Sequence, residues 1–216
     1  MIQDEYMNKG RFITVEGIEG VGKTTAIRLI TDFIMQHTNH KVVATREPGG
    51  TLICEKMREL FIKESEESIH PDTEVLLLFA SRNQHVQHLI SPTLDRGDWV
   101  VCDRYFDATH AYQVASGVHH ERIDALEAWL TKLPVPDLTF YLDAPISVCF
   151  DRLKNRRHKD RIECRSHKYF TAVKNNYLER ANKYPDRFCI VPANQDIQDV
   201  HAFIESKLTL MINEHA

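Results

Sequence analysis

The feature that most constrains this chain is the run Gly17-Ile-Glu-Gly-Val-Gly22-Lys23-Thr24, which fits the spacing GxxxxGK[ST]. An apolar stretch, Phe12-Ile-Thr-Val-Glu16, precedes it and reads as a short buried strand. Helical spacing follows from Thr24 to about His37, with Ile27, Ile30 and Ile34 on one side. A strand, a glycine-rich turn and a helix in that order form a phosphate cradle. Glycines let the backbone wrap an anion without Cβ clashes, and successive N–H groups at the helix start face it. Lys23 is placed to reach β- and γ-phosphates and the Thr24 hydroxyl to hold Mg²⁺, while Gly17, Ile18, Glu19, Gly20, Val21, Gly22 and Thr25 complete the nucleotide-binding turn.

The pattern beyond the turn alternates strand and helix. Lys41–Thr45 reads as a strand, Glu47-Pro-Gly-Gly50 as a loop and 51–62 as a helix. Pro71 opens a long helix to about Ile90, since proline suits a first helical turn. Trp99-Val-Val-Cys102 is a strand ending in Asp103-Arg104, and residues from about 107 to 132 are mostly helical. Leu138–Leu142 and Phe188–Val191 are further strands, and Val200–Ile212 is the last helix. Such alternation implies βαβ units: an α/β three-layer αβα sandwich of the P-loop NTPase class, around a mostly parallel five-stranded sheet. With no long Gly/Ser/Pro linker and no repeat, one domain over 1–216 is expected.

In open α/β sheets ligands gather at the C-terminal edge of the strands, which makes Asp103 a candidate contact for Mg²⁺ or its water. Glu16, just before the turn, is counted with the substrate site; contact with a metal-bound water and local capping or pairing explain it equally well.

Composition excludes several classes. The chain has 27 basic and 31 acidic residues, a net charge of −4, which argues against a general nucleic-acid binder. Five scattered cysteines without a CxxC suit reduced thiols, and twelve histidines without an HExxH or Cys/His cluster give no reason to expect a metal site made by the protein alone. The N-terminal MIQDEYMNKG lacks the basic-then-apolar pattern of a secretory signal, and the apolar stretches are too short to span a bilayer. A cytoplasmic location without membrane or nucleic-acid partners is expected.

Several segments together carry a resemblance. Gly17–Thr25, Thr45-Arg-Glu-Pro-Gly-Gly-Thr51, Val101-Cys-Asp-Arg-Tyr105, Ala111-Tyr-Gln113, Pro136-Asp-Leu-Thr-Phe-Tyr-Leu-Asp143 and Asp160-Arg-Ile-Glu163 occur in the order and spacing of bacterial thymidylate kinases, from about residue 11 to 213. The chain thus resembles that family of nucleoside monophosphate kinases. The resemblance implies transfer of the γ-phosphate of ATP to dTMP with Mg²⁺. It places Arg46 and Glu47 in the monophosphate pocket and brings Arg58 and Arg104 toward the dTMP phosphate. Arg82 and Gln113 would bond the thymine, with Thr109 and Tyr112 nearby, and adenine would lie near Pro192-Ala-Asn-Gln195. Many relatives stack a phenylalanine on thymine four residues before the arginine that matches Arg82; here that position is Leu78, and the aromatic Phe79 is the expected stacking residue. A homodimer through the 71–90 helix is implied as well.

Between Asp151 and Arg165 lie Arg152, Lys154, Arg156, Arg157, Lys159, Arg161 and Arg165. A charge run is usually a solvated surface, but the resemblance makes approximately 150–165 an arginine-bearing lid over ATP. Arg156 is then the leading catalytic arginine, with Arg152 and Arg161 as further ATP contacts. Lys23, Arg104 and Asp103 complete the expected catalytic group. The acceptor is a phosphate monoester with a second pKa of about 6, so it needs no general base; the obstacle is bringing two polyanions together. A deoxynucleoside kinase would need a carboxylate base, for which Glu47 is available, but Arg46, Arg58 and Arg104 favour an anionic acceptor. A regulatory GTPase would carry an NKxD motif, which is absent.

Overall fold

The computed structural model describes residues 10–63, 66–130, 133–154, 161–162 and 164–213. Five strands, β1 (Phe12–Glu16), β2 (Val42–Arg46), β3 (Trp99–Asp103), β4 (Leu138–Asp143) and β5 (Phe188–Pro192), form one sheet in the order β2-β3-β1-β4-β5. Every pairing is parallel. Strands covered on both faces need continuous apolar sequence rather than alternation, and β1 is buried at all of its positions. Parallel strands also require crossover helices. The connections hold α1 (Lys23–His37), α2 (Leu52–Ile62), α3 (Pro71–His85), α4 (Ser91–Asp95), α5 (Phe106–Ala115), α6 (His120–Trp129), α7 (Ile146–Leu153) and α8 (His167–Lys183), and α9 (Ile197–Asn213) follows the last strand.

Ile30 and Ile34 of α1 pack into the main core with Val101, Phe140, Val191 and Ile204. The helix expected over 71–90 ends at His85 and passes through a π-helical turn, Val86–Ile90, into α4. Pro92 accounts for the change of winding, because its ring excludes the carbonyl four residues earlier and it has no N–H to donate. The helical stretch expected over 107–132 is interrupted at Gly117, whose φ of 94° is the left-handed conformation that ends helices. No helix among the described residues is long and apolar enough to cross a membrane, and all five cysteines are free. Because all strands run one way, the turn after β1, Arg46 at the end of β2 and Asp103 at the end of β3 share one edge of the sheet.

Candidate functional site

The turn after β1 is held by close backbone approach. A Cβ at Gly20 would lie 2.4 Å from the carbonyl oxygen of Cys149 on α7, so only glycine fits there. Gly22 occupies the position before α1 at φ 110° with no side chain to close the helix end, which leaves the helix N-terminus open to an anion. The half-buried Lys23 folds back over the turn and donates to the carbonyls of Gly17 and Ile18, both at 3.2 Å. Burial lowers its pKa, Arg104 lowers it further, and Asp103, Glu19 and Glu16 oppose the shift.

Lys23 lines a cavity of about 340 Å³ with Glu19, Thr24, Thr25, Arg46, Glu47, Arg58, Asp103, Arg104 and Arg152. Asp103 presents a buried Oδ1 that has no hydrogen-bond partner among the described residues. Together with the Thr24 hydroxyl it offers the hard oxygen donors that Mg²⁺ takes alongside phosphates and water. The residues present therefore fit a nucleotide-bound Mg²⁺. Arg152 also donates to the carbonyls of Val21 and Ala193 at 3.2 and 3.3 Å. It thus joins the turn to a second cavity of about 300 Å³, lined by Val21, Ala193, Gln195 and Ile204 among others, beside the segment Pro192–Gln195.

A narrower slot continues from the phosphate cavity between α3 and α5. Leu78, Arg82, Tyr105, Thr109, Tyr112, Gln113 and Ile162 line it, and it shares Glu19, Glu47, Arg58 and Arg104 with the phosphate cavity. Arg82 is its anchor. Its Nε donates to Glu47 Oε2 at 2.8 Å, its Nη2 to Thr109 Oγ1 at 2.9 Å, and its buried Nη1 has no partner among the described residues. Burial pulls the Arg82 pKa down, but Glu47, Tyr105 and Glu127 together more than offset it, and the guanidinium stays charged. The other Glu47 oxygen meets His85 Nδ1 at 3.0 Å, and His85 Nε2 is 2.8 Å from Thr45 Oγ1. Arg58 donates to the Pro48 carbonyl at 3.0 Å, and Arg46 pairs with Glu55 at 2.8 Å.

Arg104 stands where slot and phosphate cavity meet. It is the one described non-glycine residue with positive φ, at 69°. Its guanidinium donates to Gly17 O at 2.9 Å, Glu19 Oε1 at 2.8 Å and the Tyr177 hydroxyl at 3.1 Å. It lies over the Tyr112 ring at 4.6 Å, and the Tyr112 hydroxyl donates to Glu19 Oε2 at 2.7 Å.

The structure thus brings Arg46, Glu47, Arg58, Arg82, Asp103, Arg104, Thr109, Tyr112 and Gln113 around two joined cavities. Three expectations are corrected. Phe79 does not face the slot: it packs with Val75, Val118 and Ile123, while Leu78 lines the slot. Residues four apart share a helix face, so Leu78 goes with Arg82 and Phe79 with Val75. The Phe79 ring instead backs the Arg82 guanidinium at 5.1 Å. Arg161 is not at the nucleotide turn. It donates to the Phe61 carbonyl and pairs with the buried Glu74 beside the slot. Glu16 reaches neither cavity: it is fully buried, with one oxygen accepting from Tyr105 N–H and the other from the Tyr177 hydroxyl, both at 2.7 Å. Arg156 lies outside the described residues. Sequence reasoning passed over His85, Glu74 and Tyr177, which carry no motif and are identified by burial and by their partners. Away from the site, the ligand-bearing atoms of His110, Asp124 and Glu127 gather within 4.8 Å, and a His110–Glu127 contact of 3.0 Å accounts for that cluster.

Burial, and secondarily Asp107, pushes the Glu16 pKa from 4.5 up to about 8. Folded Glu16 therefore holds its proton through a pH range in which the unfolded chain has lost it, and its contribution to stability falls as pH rises from about 4.5 to 8. The slope is at most on the order of 1.4 kcal/mol per pH unit. Glu16→Gln, which cannot titrate, is expected to unfold at a urea midpoint that rises relative to the parent between pH 5 and pH 8. Parallel curves would contradict the shifted pKa.

Comparison with known proteins gives the family. The Thymidylate kinase family model matches residues 15–204. The thymidylate kinase of Ruthia magnifica is 42% identical over 193 residues, covering 89% of this chain and 94% of that protein. That of Nitrosomonas europaea is 43% identical over 195 residues, 90% of each. The crystal structure of thymidylate kinase from Ehrlichia chaffeensis superposes with a TM-score of 0.73 at 30% identity, covering 93% of this chain and 99% of that one.

Proposed function

This chain belongs to the thymidylate kinase family, and we propose that it moves the γ-phosphate of ATP onto the 5′-phosphate of dTMP, each nucleotide held in one of the two joined cavities. The observation that carries this reading is that Glu19, Glu47, Arg58 and Arg104 border both cavities, which allows donor and acceptor phosphates to meet end to end.

ATP phosphates would lie on the turn and Lys23, with adenine in the cavity beside Ala193 and Gln195. Mg²⁺, held by Thr24 and Asp103, would neutralise phosphate charge. Arg82, through the Nη1 that no described residue engages, and Gln113 would bond the thymine, with Leu78 as its apolar wall. Arg46, Arg58 and Arg104 would receive the acceptor phosphate. Because that phosphate is already ionised near neutral pH, the protein's task is alignment and charge neutralisation rather than proton removal. The lid of approximately 150–165 would add Arg156 to this set. Glu47, the base a nucleoside kinase would need, has both oxygens engaged by Arg82 and His85, which favours a phosphate acceptor over a hydroxyl.

We read 1–216 as one kinase domain. Exposed Leu76 on α3, with exposed Leu52 and Leu60 on the α2 helix packed against it, supports a homodimer through the 71–90 helix. Free cysteines suit a reducing cytoplasm.

In an ADP-release assay with Mg·ATP, dTMP is expected to be the best acceptor among dTMP, dUMP, dCMP, dGMP and thymidine, with little release when no acceptor is present. Preference for thymidine, or release independent of acceptor, would reject the reading.

A further inference from the structure

Arg104 is held in a costly conformation. A non-glycine residue at φ 69° is disfavoured, so surrounding contacts must hold it there. Two of these contacts come from a single buried carboxyl group, that of Glu16. Glu16 Oε1 accepts the N–H of Tyr105, the residue that leaves the turn, and Glu16 Oε2 accepts the Tyr177 hydroxyl. The same hydroxyl oxygen receives Arg104 Nη1 at 3.1 Å. Tyr177 itself cannot swing: it is fully buried on α8, stacked on Tyr141 at a centroid distance of 5.0 Å and edge-on to Tyr112 at 6.2 Å. Glu16 thus fixes the backbone just after Arg104 and, through a rigid phenol, one arm of its guanidinium. Glu19 holds another nitrogen, Nη2, and an acceptor phosphate entering the site would compete with Glu19 for it. The Tyr177 contact comes from the buried side, away from both cavities, since Tyr177 lines neither.

We propose that Tyr177, anchored by Glu16, is a positioning residue: it keeps the Arg104 guanidinium oriented toward the acceptor phosphate. The proposal rests on the assignment of Arg104 to that phosphate. Tyr177 touches no substrate, so its effect must pass through Arg104. A residue that merely fills the core would act independently of it.

The test is a double-mutant cycle between Tyr177→Phe, which removes one oxygen and keeps the ring, and Arg104→Ala. Steady-state kinetics are measured for dTMP and for ATP, with thermal unfolding of every variant as the check on folding. Tyr177→Phe is expected to lower kcat/KM for dTMP about tenfold, the scale of a lost hydrogen bond to a charged group, with KM for ATP changed less than about twofold. In the Arg104→Ala background the same substitution is expected to change kcat/KM for dTMP by less than about twofold, because the group it orients is gone. Equal losses in both backgrounds, or normal dTMP kinetics of Tyr177→Phe, would overturn the positioning role. Normal dTMP kinetics of Arg104→Ala alone would instead overturn the assignment of Arg104, a result distinct from the first two.

Discussion

Lys23→Ala is expected to lower kcat by about 10²–10³-fold or more while the protein stays folded. Removing one preorganised donor from a charge-developing site costs on that order, and Lys23 brings a full charge rather than a dipole. Its surroundings explain why the loss is confined to turnover. Among the described residues the Lys23 side chain makes two hydrogen bonds, to carbonyls of the turn at 3.2 Å, and it belongs to no apolar cluster. Burial, and then Arg104, lowers its pKa, while Asp103 and Glu19 oppose that shift and keep the ammonium facing acidic neighbours. Charge concentrated in this way acts on the phosphates and contributes little to the core, so the unfolding midpoint should move by no more than about 2–4 °C, the equivalent of roughly 1 kcal/mol in a domain of this size. Arginine is not a substitute, because a planar fork does not fit a turn that holds a compact ammonium. Turnover at saturating dTMP and Mg·ATP decides the matter: near-normal kcat in folded Lys23→Ala would remove the lysine from the chemistry.

What the sequence reveals and what it hides follow from the range of the interactions involved. The phosphate turn is legible because its requirements are local. Gly22 needs the left-handed φ of 110° that glycine takes freely, and Lys23 and Thr24 stand at fixed offsets from the turn. The parallel sheet is legible because β1, β3 and β4 are mostly apolar and are separated by helix-length segments. Asp103 and Arg104 are legible as the last groups of a strand and the first of a loop. Legibility fails where a side chain's role depends on a partner far along the chain. Glu16 meets Tyr177, 161 residues away, and Arg161 meets Phe61, 100 residues away. No local pattern records either contact. Phe79 fails for a different reason. Its chemistry suggested stacking on a base, but the helical period assigns the slot to Leu78, and placing α3 needed its partners on α5 and α6 rather than its own composition.

The buried pair beneath the slot gives the second large effect. Arg82→Met is expected to lower the unfolding midpoint by about 10 °C and to weaken kcat/KM for dTMP at least tenfold. Arg82 and Glu47 are 2% and 4% exposed and 2.8 Å apart, and removing one partner of such a pair costs about 3–5 kcal/mol, because the other charge stays buried without its counterion. At roughly 2–4 °C per kcal/mol for a domain of this size, that is a midpoint shift of order 10 °C. His85 softens the loss only partly, as it meets the Glu47 oxygen that Arg82 does not use. A double variant separates stability from recognition. Glu47→Leu combined with Arg82→Met replaces the ion pair with apolar groups of similar size, an exchange that is often neutral or stabilising. The double variant is therefore expected to regain part of the lost midpoint while leaving dTMP kinetics as poor as in Arg82→Met. If its acceptor kinetics recovered along with its stability, Arg82 would be a packing residue. If neither recovered, the pair would contribute more to the fold than its burial and distance imply.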